Sequence, residues 1–433
     1  MSTAISYPSI LEQPLAPSAM LPQWFVTAQE DAWKQFQSLP IPKRGAEAWR
    51  FSTFNHLDFS AYQLVDTPVQ AEEWIARSQG VKEAAATFVF VNDQLVHADN
   101  HLPEGVICLP LADALRECPD LVQSFFMRHP STLGSAKYRA LHAAHLSNGV
   151  FLHVADGVVV EHPVQIFHWV NGENSTILPH TLVVTGEGAS VRVIETFQST
   201  DDSSASLTIA VNDLIAQQGS TLDYVMIQAL NGKSKIISIN ASEVAKLATS
   251  TSFLLSTGAA WARSESISRL IGEEARSNML AVSVPTRDQE FDQRTFQHHI
   301  SAGAYSDLLY KNSLYDEART IFSGLIFVDE GAHRTDAYQT CRNLLMSDTC
   351  EANSMPGLEI NADDVKCSHG STSSQISDEE IFYLRARGID STTARQLIAR
   401  GFSIEVISRL NHDATEEFVL EFLDRKFATL REN

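Results

Sequence analysis

A thiol and an imidazole are two residues apart near the C-terminal end of this chain, at Cys367 and His369. In a β-strand, residues i and i+2 project from the same face, so these two side chains would lie side by side. Thiolate sulfur and imidazole nitrogen both bind thiophilic metals. Two ligands cannot complete a tetrahedral site, so a metal here needs further ligands from this chain or from a partner. A buried thiol beside a hydrogen-bonded imidazole is the alternative interpretation of the same residues.

Other histidines and cysteines do not form a ligand pattern. His142 and His145 have i, i+3 spacing on an expected helix, but we favour a solvent-facing helical surface over a metal site. His298 and His299 are neighbours on an expected strand and would face opposite sides. The sequence contains no C-x-x-C pair, which argues against a self-contained zinc or iron–sulfur site.

Nucleotide-binding and hydrolytic motifs are also missing from the sequence. The Gly-Lys-Ser run at 232–234 resembles the end of a phosphate-binding loop, but Ile227 stands where that loop needs its first glycine. Neither a G-x-G-x-x-G fingerprint nor a G-x-S-x-G elbow occurs. Cys367 as a nucleophile with His369 as its base would have poor geometry on one strand and no orienting third group.

Composition limits the environment and the partners. The chain has 433 residues, enough for two to four structural units, with 44% hydrophobic and 20% charged residues. Its net charge of −21 disfavours nucleic acid and anionic membranes as partners. No apolar run is long enough to span a membrane, and residues 1–17 lack the features of a secretory signal. Five cysteines, an odd and low number, indicate a reducing compartment, so we expect a cytoplasmic protein.

Changes in local pattern divide the chain into three expected regions. Residues 1–148 carry helical and mixed signals, residues 149–370 form a series of short strand-like runs, and residues 371–433 are helical. In the first region, Thr27 and Glu30 have capping-box spacing, which predicts a helix from Thr27 to the Leu-Pro-Ile-Pro run. The other elements expected there are a strand at 87–91 and helices at 120–128 and 135–145.

The central region has a repeating unit. Small residues near acidic or amide residues punctuate the strand-like runs, which are rich in Val, Ile and Thr. The alanines of these segments recur at a nearly even interval, or at twice that interval, at Ala259, Ala275, Ala304, Ala318 and Ala332. A unit of about 15 residues is too short for two helices but long enough for two strands and two turns. Such units can stack into a β-solenoid, and a β-sandwich with evenly spaced hairpins is the alternative.

Helix signals return in the last region. Ser377 and Glu380 form a capping box, and Gly388 suits the end of the helix that they begin. Three more helices are expected, one from Ser391 to Gly401, one from about Ser403, and one over 415–430. This helical array is either a docking module or a cap on the solenoid.

Several runs resemble motifs of the SufB/SufD family of iron–sulfur cluster assembly proteins. These runs are EAWRFS at 47–52, RTDAYQTCRNLL at 334–345, PGLEINADDVKCSHGST at 356–372, EEIFYLRARGI at 379–389 and ARQLIARGF at 394–402. Within the family, the VKCSHG string and the element around Trp49 resemble the SufD branch, because SufB chains are expected to carry a Glu-His-Glu type of string instead. Ser371 stands where alanine is usual, and Cys341 where a polar residue is common.

The resemblance implies a mainly β fold, a right-handed parallel β-helix flanked by an N-terminal helical and mixed region and C-terminal helices. It implies a non-catalytic scaffold subunit in a complex with SufB and two copies of the ATPase SufC. It also implies that the β-helix end binds SufB and that the C-terminal helices bind SufC. The residues expected at the SufC surface are Phe382, Tyr383, Arg385, Arg387, Arg395 and Phe402.

The family resemblance also gives the Cys–His pair a role. His369 is expected to help hold a nascent iron–sulfur cluster at the SufB interface, with sulfur supplied by a persulfide-bearing cysteine of SufB. Cys367 is expected to act as an auxiliary ligand or a sulfur relay. The cluster would be transient and shared, with no cofactor bound tightly to the isolated chain, which could form a homodimer through the β-helix.

Two alternatives remain open from the sequence, a SufB-type paralogue and a self-contained metal-binding β-helix protein. A carbohydrate-active β-helix enzyme would need clustered acidic residues on the solenoid face and, as a rule, a secretion signal. We expect no such signal here, and the acidic residues lie mostly in expected turns, which argues against that enzyme class.

Overall fold

The computed structural model describes residues 8–16, 20–65 and 71–430. The α-helices in this part of the chain are α1 (Gln23–Ser38), α2 (Ala71–Arg77), α3 (Leu111–Glu117), α4 (Pro119–Phe125), α5 (Ala136–His145), α6 (Asp378–Arg385), α7 (Ser391–Ile407) and α8 (Asp413–Thr429). The strands are β1 (Ala86–Val91), β2 (Gln94–Asn100), β3 (Val106–Pro110), β4 (Gly149–Val154), β5 (Val164–Val170), β6 (Ser175–Ile177), β7 (His180–Thr185), β8 (Ser190–Ser199), β9 (Ser206–Ala216), β10 (Thr221–Ala229), β11 (Lys235–Val244), β12 (Thr249–Ser256), β13 (Trp261–Leu270), β14 (Arg276–Ser283), β15 (Glu290–His299), β16 (Tyr305–Leu314), β17 (Arg319–Val328), β18 (Asp336–Leu345), β19 (Glu351–Ile360) and β20 (Lys366–Gln375).

The strands form two facing ten-stranded sheets. The first sheet has the order β2-β1-β5-β8-β10-β12-β14-β16-β18-β20, and the second β19-β17-β15-β13-β11-β9-β7-β4-β3, with β6 beside β9. From β7 onward the chain alternates between the two sheets, and neighbouring strands within each sheet are parallel. The result is a parallel β-solenoid of about 8 turns, flanked by helices at both chain ends. The mainly β solenoid expected from the repeat and the resemblance is therefore confirmed, and the sandwich alternative is wrong.

The alanine repeat corresponds to a half-turn of this solenoid. Trp261 of β13 pairs with Glu290 of β15, and Arg276 of β14 pairs with Tyr305 of β16, so one full turn in this part spans two alanine intervals. The expectation of two strands per unit was wrong, because each unit contributes one long strand to one sheet. The alanine spacing marks the corners, where all five alanines are fully buried and a larger side chain would not fit.

One corner of the solenoid is a column of left-handed residues. Residues with positive φ occur there once per turn, at Gly157, Gly188, Gly219, Leu247, Glu274, Gly303, Arg334 and Asp364. The N–H of each residue except the last donates to a carbonyl of the next turn, over 2.8 to 3.2 Å. This geometry explains why glycine recurs in the turns between the strands, since glycine adopts positive φ without steric cost.

The two ends of the solenoid differ. At the N-terminal end, β2 runs antiparallel to β1, and β3 runs antiparallel to β4. At the C-terminal end, β20 and β19 are parallel to their neighbours β18 and β17 and have no further strand beside them within the part of the chain described. Strand β20 extends to Gln375 and so crosses the domain boundary expected at residue 370.

The N-terminal helix begins earlier than its sequence signal predicts. Helix α1 starts at Gln23, after Pro22, and no side chain caps its N-terminus, so the capping box expected at Thr27 does not start it. Phe25 is buried and packs edge-on against Trp24 in an apolar cluster. This packing stabilises the helical turn that precedes Thr27. Tertiary packing thus outweighs the local capping signal.

The C-terminal helices cover the outer face of the first sheet. The capping box of Ser377 and Glu380 is present at the start of α6, as predicted. Helix α7 runs through Gly401, so the expected helix end there was wrong. Ala399, Ser403 and Val406 form one buried face on both sides of this glycine, and packing against the sheet keeps the helix continuous.

Within the part of the chain that the structure describes, no helix is long and apolar enough to cross a membrane.

Candidate functional site

Cys367 and His369 lie on β20, the last strand of the first sheet. In the parallel register, Cys367 pairs with Ala337 of β18 and His369 pairs with Gln339. Ala337 and Gln339 are buried residues that face the solenoid interior, so Cys367 and His369 share the inward face of the terminal strand. The shared face predicted from the i, i+2 spacing is confirmed. No further strand pairs with the outer edge of β20 in the described part of the chain, and His369 is exposed while Cys367 is half-buried.

Burial affects the chemistry of the Cys367 thiol. The side chain packs against an apolar cluster that contains Ile326, Val328 and Ala337. This burial, with a smaller contribution from the Asp336 carboxylate, raises the pKa of Cys367 above its ordinary value. The thiol is therefore protonated at neutral pH and must lose its proton to bind a metal.

The pair remains a two-ligand arrangement within this chain. No group of three or more His, Cys, Asp or Glu side chains that could hold a metal ion occurs among residues 8–16, 20–65 and 71–430. The structure therefore adds no third ligand to Cys367 and His369, and a tetrahedral metal would need ligands from elsewhere.

Buried amides of β18 support the terminal strand, and the sequence analysis did not identify them. Gln339, directly beneath His369, donates from Nε2 to Oε1 of Gln297 over 3.3 Å. Asn343 accepts from Asn312 Nδ2 at 2.8 Å and donates to Ser373 Oγ at 3.2 Å. These hydrogen bonds fix the inward face of the strand beneath β20. The only signal of these buried amides in the sequence was that Gln339 and Asn343 fall on alternate positions of β18 and so share one face.

The other candidate ligands are structural. His142 and His145 are fully buried, which corrects the expected solvent-facing surface. They face the protein because α5 packs between α1 and the second sheet, and their Nε2 atoms lie 3.0 Å from Pro179 O and 2.8 Å from Ile10 O, respectively. His298 and His299 face opposite sides of β15, as predicted, with His299 buried and His298 paired with Asp329 at 3.0 Å.

Two family models match the chain. Residues 168–402 match the model described as "SUF system FeS cluster assembly, SufBD core domain", which is more than half of the chain. The chain belongs to the SufBD family. Residues 19–166 match a second model, "SufBD protein N-terminal region". The core match includes Cys367 and His369 and confirms the family resemblance that the sequence motifs indicated.

Individual relatives support the SufBD assignment over most of the chain. "Iron-sulfur cluster assembly protein SufD" of Escherichia coli is 29% identical over 388 residues, which cover 88% of each chain. The protein of the same name in Bacillus subtilis is 24% identical over 414 residues, 94% of each chain. An "Iron-sulfur cluster assembly SufBD family protein" of Staphylococcus epidermidis is 25% identical over 412 residues, 88% of this chain and 84% of the relative.

The expected SufC surface is only partly exposed in this SufBD chain. On α6, Phe382 is 73% and Tyr383 56% exposed. Arg387 lies over the Tyr383 ring at 3.6 Å, and Arg385 is exposed nearby. Four of the six expected residues therefore lie on or just after α6 and are exposed.

The other two expected residues have a different setting. Phe402 is half-buried against β16, where Lys311 Nζ lies 4.3 Å from the ring and donates to the Phe402 carbonyl over 2.9 Å. Arg395 is half-buried and close enough to Tyr315 to influence its pKa. Phe402 therefore contacts the solenoid and Arg395 is half-buried near it, so α6 is the more accessible part of the predicted surface.

Proposed function

We propose that this SufBD-family chain is a non-catalytic scaffold subunit for iron–sulfur cluster assembly, which acts in the cytoplasm in a complex with SufB and the ATPase SufC. One observation carries the proposal, namely that Cys367 and His369 lie on the inward face of a terminal strand, beyond which the described part of the chain places no neighbour. A strand of a second chain that paired with the open edge of β20 would place its own side chains next to the two candidate ligands.

The proposed mechanism depends on the incompleteness of the site. Two ligands leave iron largely hydrated and weakly bound, so docking of SufB would complete the coordination. The imidazole of His369 would bind iron through one ring nitrogen. Cys367, after losing its proton, would serve as a second ligand. As a sulfur relay, its thiolate would attack the outer sulfur of a SufB persulfide, and the S–S bond would break to release the SufB cysteine as a thiolate. Opening and closing of SufC would shift the two half-sites between exposed and sequestered states.

Anaerobic purification tests the proposal against a self-contained metal protein. The chain is expected to carry no stoichiometric iron or sulfide when purified alone, and to carry both when purified with SufB and SufC. Iron and acid-labile sulfide are measured in both preparations, with a SufB–SufC preparation as the control. One equivalent of tightly bound iron in the isolated chain would favour the self-contained alternative instead.

We propose that the exposed surface of α6 contacts SufC. Deleting residues 377–433 would also uncover the apolar outer face of the first sheet, because α7 and α8 pack there. The double substitution Phe382→Ala and Tyr383→Ala leaves that packing intact and is expected to weaken SufC binding by about 2 kcal/mol, roughly thirtyfold. Calorimetric titration with SufC measures the loss.

A matched control separates this contact from a general loss of surface hydrophobicity. Ile41 is 62% exposed at the N-terminal side, and Ile41→Ala is expected to leave the affinity for SufC unchanged. Unchanged SufC binding by the double variant would show that α6 only caps the solenoid.

A further inference from the structure

A cavity lies at the N-terminal end of the solenoid, away from the strand that carries Cys367 and His369. Its volume is about 480 Å³, within the range of small-molecule binding sites. It is bounded by residues 8–16, residues 64–65, the turn between β1 and β2, the end of α5, and β6. The SufBD assignment and the proposed cluster site give this cavity no role.

Three residues that line the cavity each have a buried polar atom without a hydrogen-bond partner among residues 8–16, 20–65 and 71–430. His145 Nδ1, Thr176 Oγ1 and Asp93 Oδ1 make no hydrogen bond within the described part of the chain. His145 is 2% exposed and Thr176 is 1% exposed. Buried polar atoms without partners are destabilising, and native proteins rarely leave several together. These three atoms are therefore available to hydrogen-bond a ligand or ordered water in the cavity.

Hydrogen-bond roles follow from the neighbours of two of these atoms. His145 Nε2 lies 2.8 Å from the carbonyl oxygen of Ile10, which can only accept, so Nε2 carries the proton. Burial lowers the pKa of His145, so the ring is neutral and Nδ1 is an acceptor. Asp93 Oδ2 accepts from the N–H of Leu178 at 2.6 Å, which leaves Oδ1 to accept from a ligand. Thr176 Oγ1 can accept or donate.

Charge further narrows the ligand class. Among the described residues of the lining, Asp93 is the only formally charged side chain, and none is Lys or Arg. Burial raises the pKa of Asp93 to about 6, so the carboxylate is ionised at pH 8. Residues 8–16 and 64–65 also contribute apolar residues to the lining, namely Pro8, Ile10, Leu15, Leu64 and Val65. An ionised buried carboxylate without a cation is costly, which disfavours anionic ligands and favours a positively charged donor.

We propose that this cavity binds a small organic cation, with a protonated amine donating to Asp93 and His145 and an apolar body packed against the surrounding aliphatic residues. The ligand class is a primary amine on a compact hydrophobic group. This binding is separate from cluster assembly, because the cavity and the terminal strand lie at opposite ends of the solenoid.

Three probes of similar shape and different charge test the proposal on the full-length chain. Benzylamine, benzyl alcohol and benzoate are titrated at pH 8, and binding is followed by ligand-observed NMR and calorimetry. Benzylamine is expected to bind at least about tenfold more tightly than benzyl alcohol, and benzoate is expected not to bind. Failure of benzylamine to bind at up to about 10 mM, or equal binding of all three probes, would overturn the proposal.

A charge-neutral substitution locates the interaction. Asp93 has φ of 61°, a conformation that asparagine tolerates, so Asp93→Asn is expected to fold normally. It should reduce the affinity for benzylamine about tenfold and leave that for benzyl alcohol unchanged. Asp99→Asn makes the same chemical change on the exposed part of β2 and serves as the control. Equal losses in the two variants would rule out the Asp93 site.

The wild-type chain offers a second readout that does not depend on folding of a variant. Protonation of Asp93 removes its preference for a cation, so benzylamine affinity is expected to fall as the pH drops below about 6. The loss is expected to level off at about tenfold, the same loss as in Asp93→Asn, whereas the affinity for benzyl alcohol stays constant. A benzylamine affinity that does not change between pH 8 and pH 5 would contradict the assignment of Asp93 as the partner.

Discussion

Replacing His369 with alanine is expected to reduce cluster formation at least about tenfold in a complex reconstituted with SufB and SufC. The imidazole offers a nitrogen lone pair to iron, whereas the Cys367 thiol, with its raised pKa, must first lose its proton. Its side chain is exposed on the terminal strand, so its removal should leave folding and assembly intact. Iron, sulfide and visible absorbance measure the cluster, and gel filtration measures the complex.

A neighbour on the same strand supplies the matched control. Ser371 is the next residue on the inward face of β20, paired with Cys341 of β18, and Ser371→Ala is expected to leave the cluster yield unchanged. Cys367→Ser, measured in parallel, tells whether the thiol is also needed. A normal yield from His369→Ala in an intact complex would contradict the role proposed for this residue.

Replacing Asp292 with asparagine is expected to destabilise the fold by about 3 to 5 kcal/mol. The carboxylate is fully buried and contacts two buried guanidinium groups, those of Arg263 and Arg294. It also accepts from Ser52 Oγ at 2.5 Å. Asparagine keeps the shape but removes the charge, which leaves the two cations undercompensated in a medium where water cannot replace it.

The same network attaches the N-terminal region to the second sheet. Arg263 donates to the carbonyl oxygens of Ala48 and Leu133 at 2.9 and 2.7 Å, and its guanidinium lies 3.7 Å from the Trp49 ring centroid. Arg294 donates to the Arg50 carbonyl at 2.8 Å. Proteolysis within residues 48–53 should therefore accelerate in the Asp292→Asn variant, because these contacts depend on correctly placed arginines.

An exposed ion pair provides the comparison for the stability measurement. Asp424 pairs with Arg400 at 2.7 Å on the surface of the C-terminal helices, where Asp424→Asn is expected to cost less than about 1 kcal/mol. Both variants are unfolded with urea and monitored by circular dichroism. Similar midpoints for the two variants would mean that the buried network contributes no more than a surface pair.

Local signals were reliable where the physical cause is local. The period of two placed Cys367 and His369 on one face, and the capping box of Ser377 and Glu380 formed as expected, because each depends only on nearby backbone geometry. Gly401 misled because its helix cost is smaller than the packing of α7 on the sheet. That packing involves residues distant in sequence and could not be read from the helix alone.

Long-range partners account for the remaining differences. Arg263, Asp292 and Arg294 alternate with other residues on their strands as solvent-facing charges would, yet all three are buried. Their cover comes from residues 48–53, more than 200 positions upstream, as the hydrogen bond from Ser52 to Asp292 shows. The burial of His142 and His145 has the same origin, because the carbonyl groups that they contact belong to other segments.

The unequal ends of the solenoid limit how large an assembly this chain can build. Growth into a fibre requires two matching ends, so that each added molecule offers the next one a template. Here the N-terminal ends of both sheets finish in antiparallel strands, and within the described residues only β19 and β20 present parallel edges. Association through those edges is therefore expected to stop after one partner. Under the proposed function, a second copy and SufB would compete for this end, and the relative abundance of the two chains would then set how much scaffold is available for clusters.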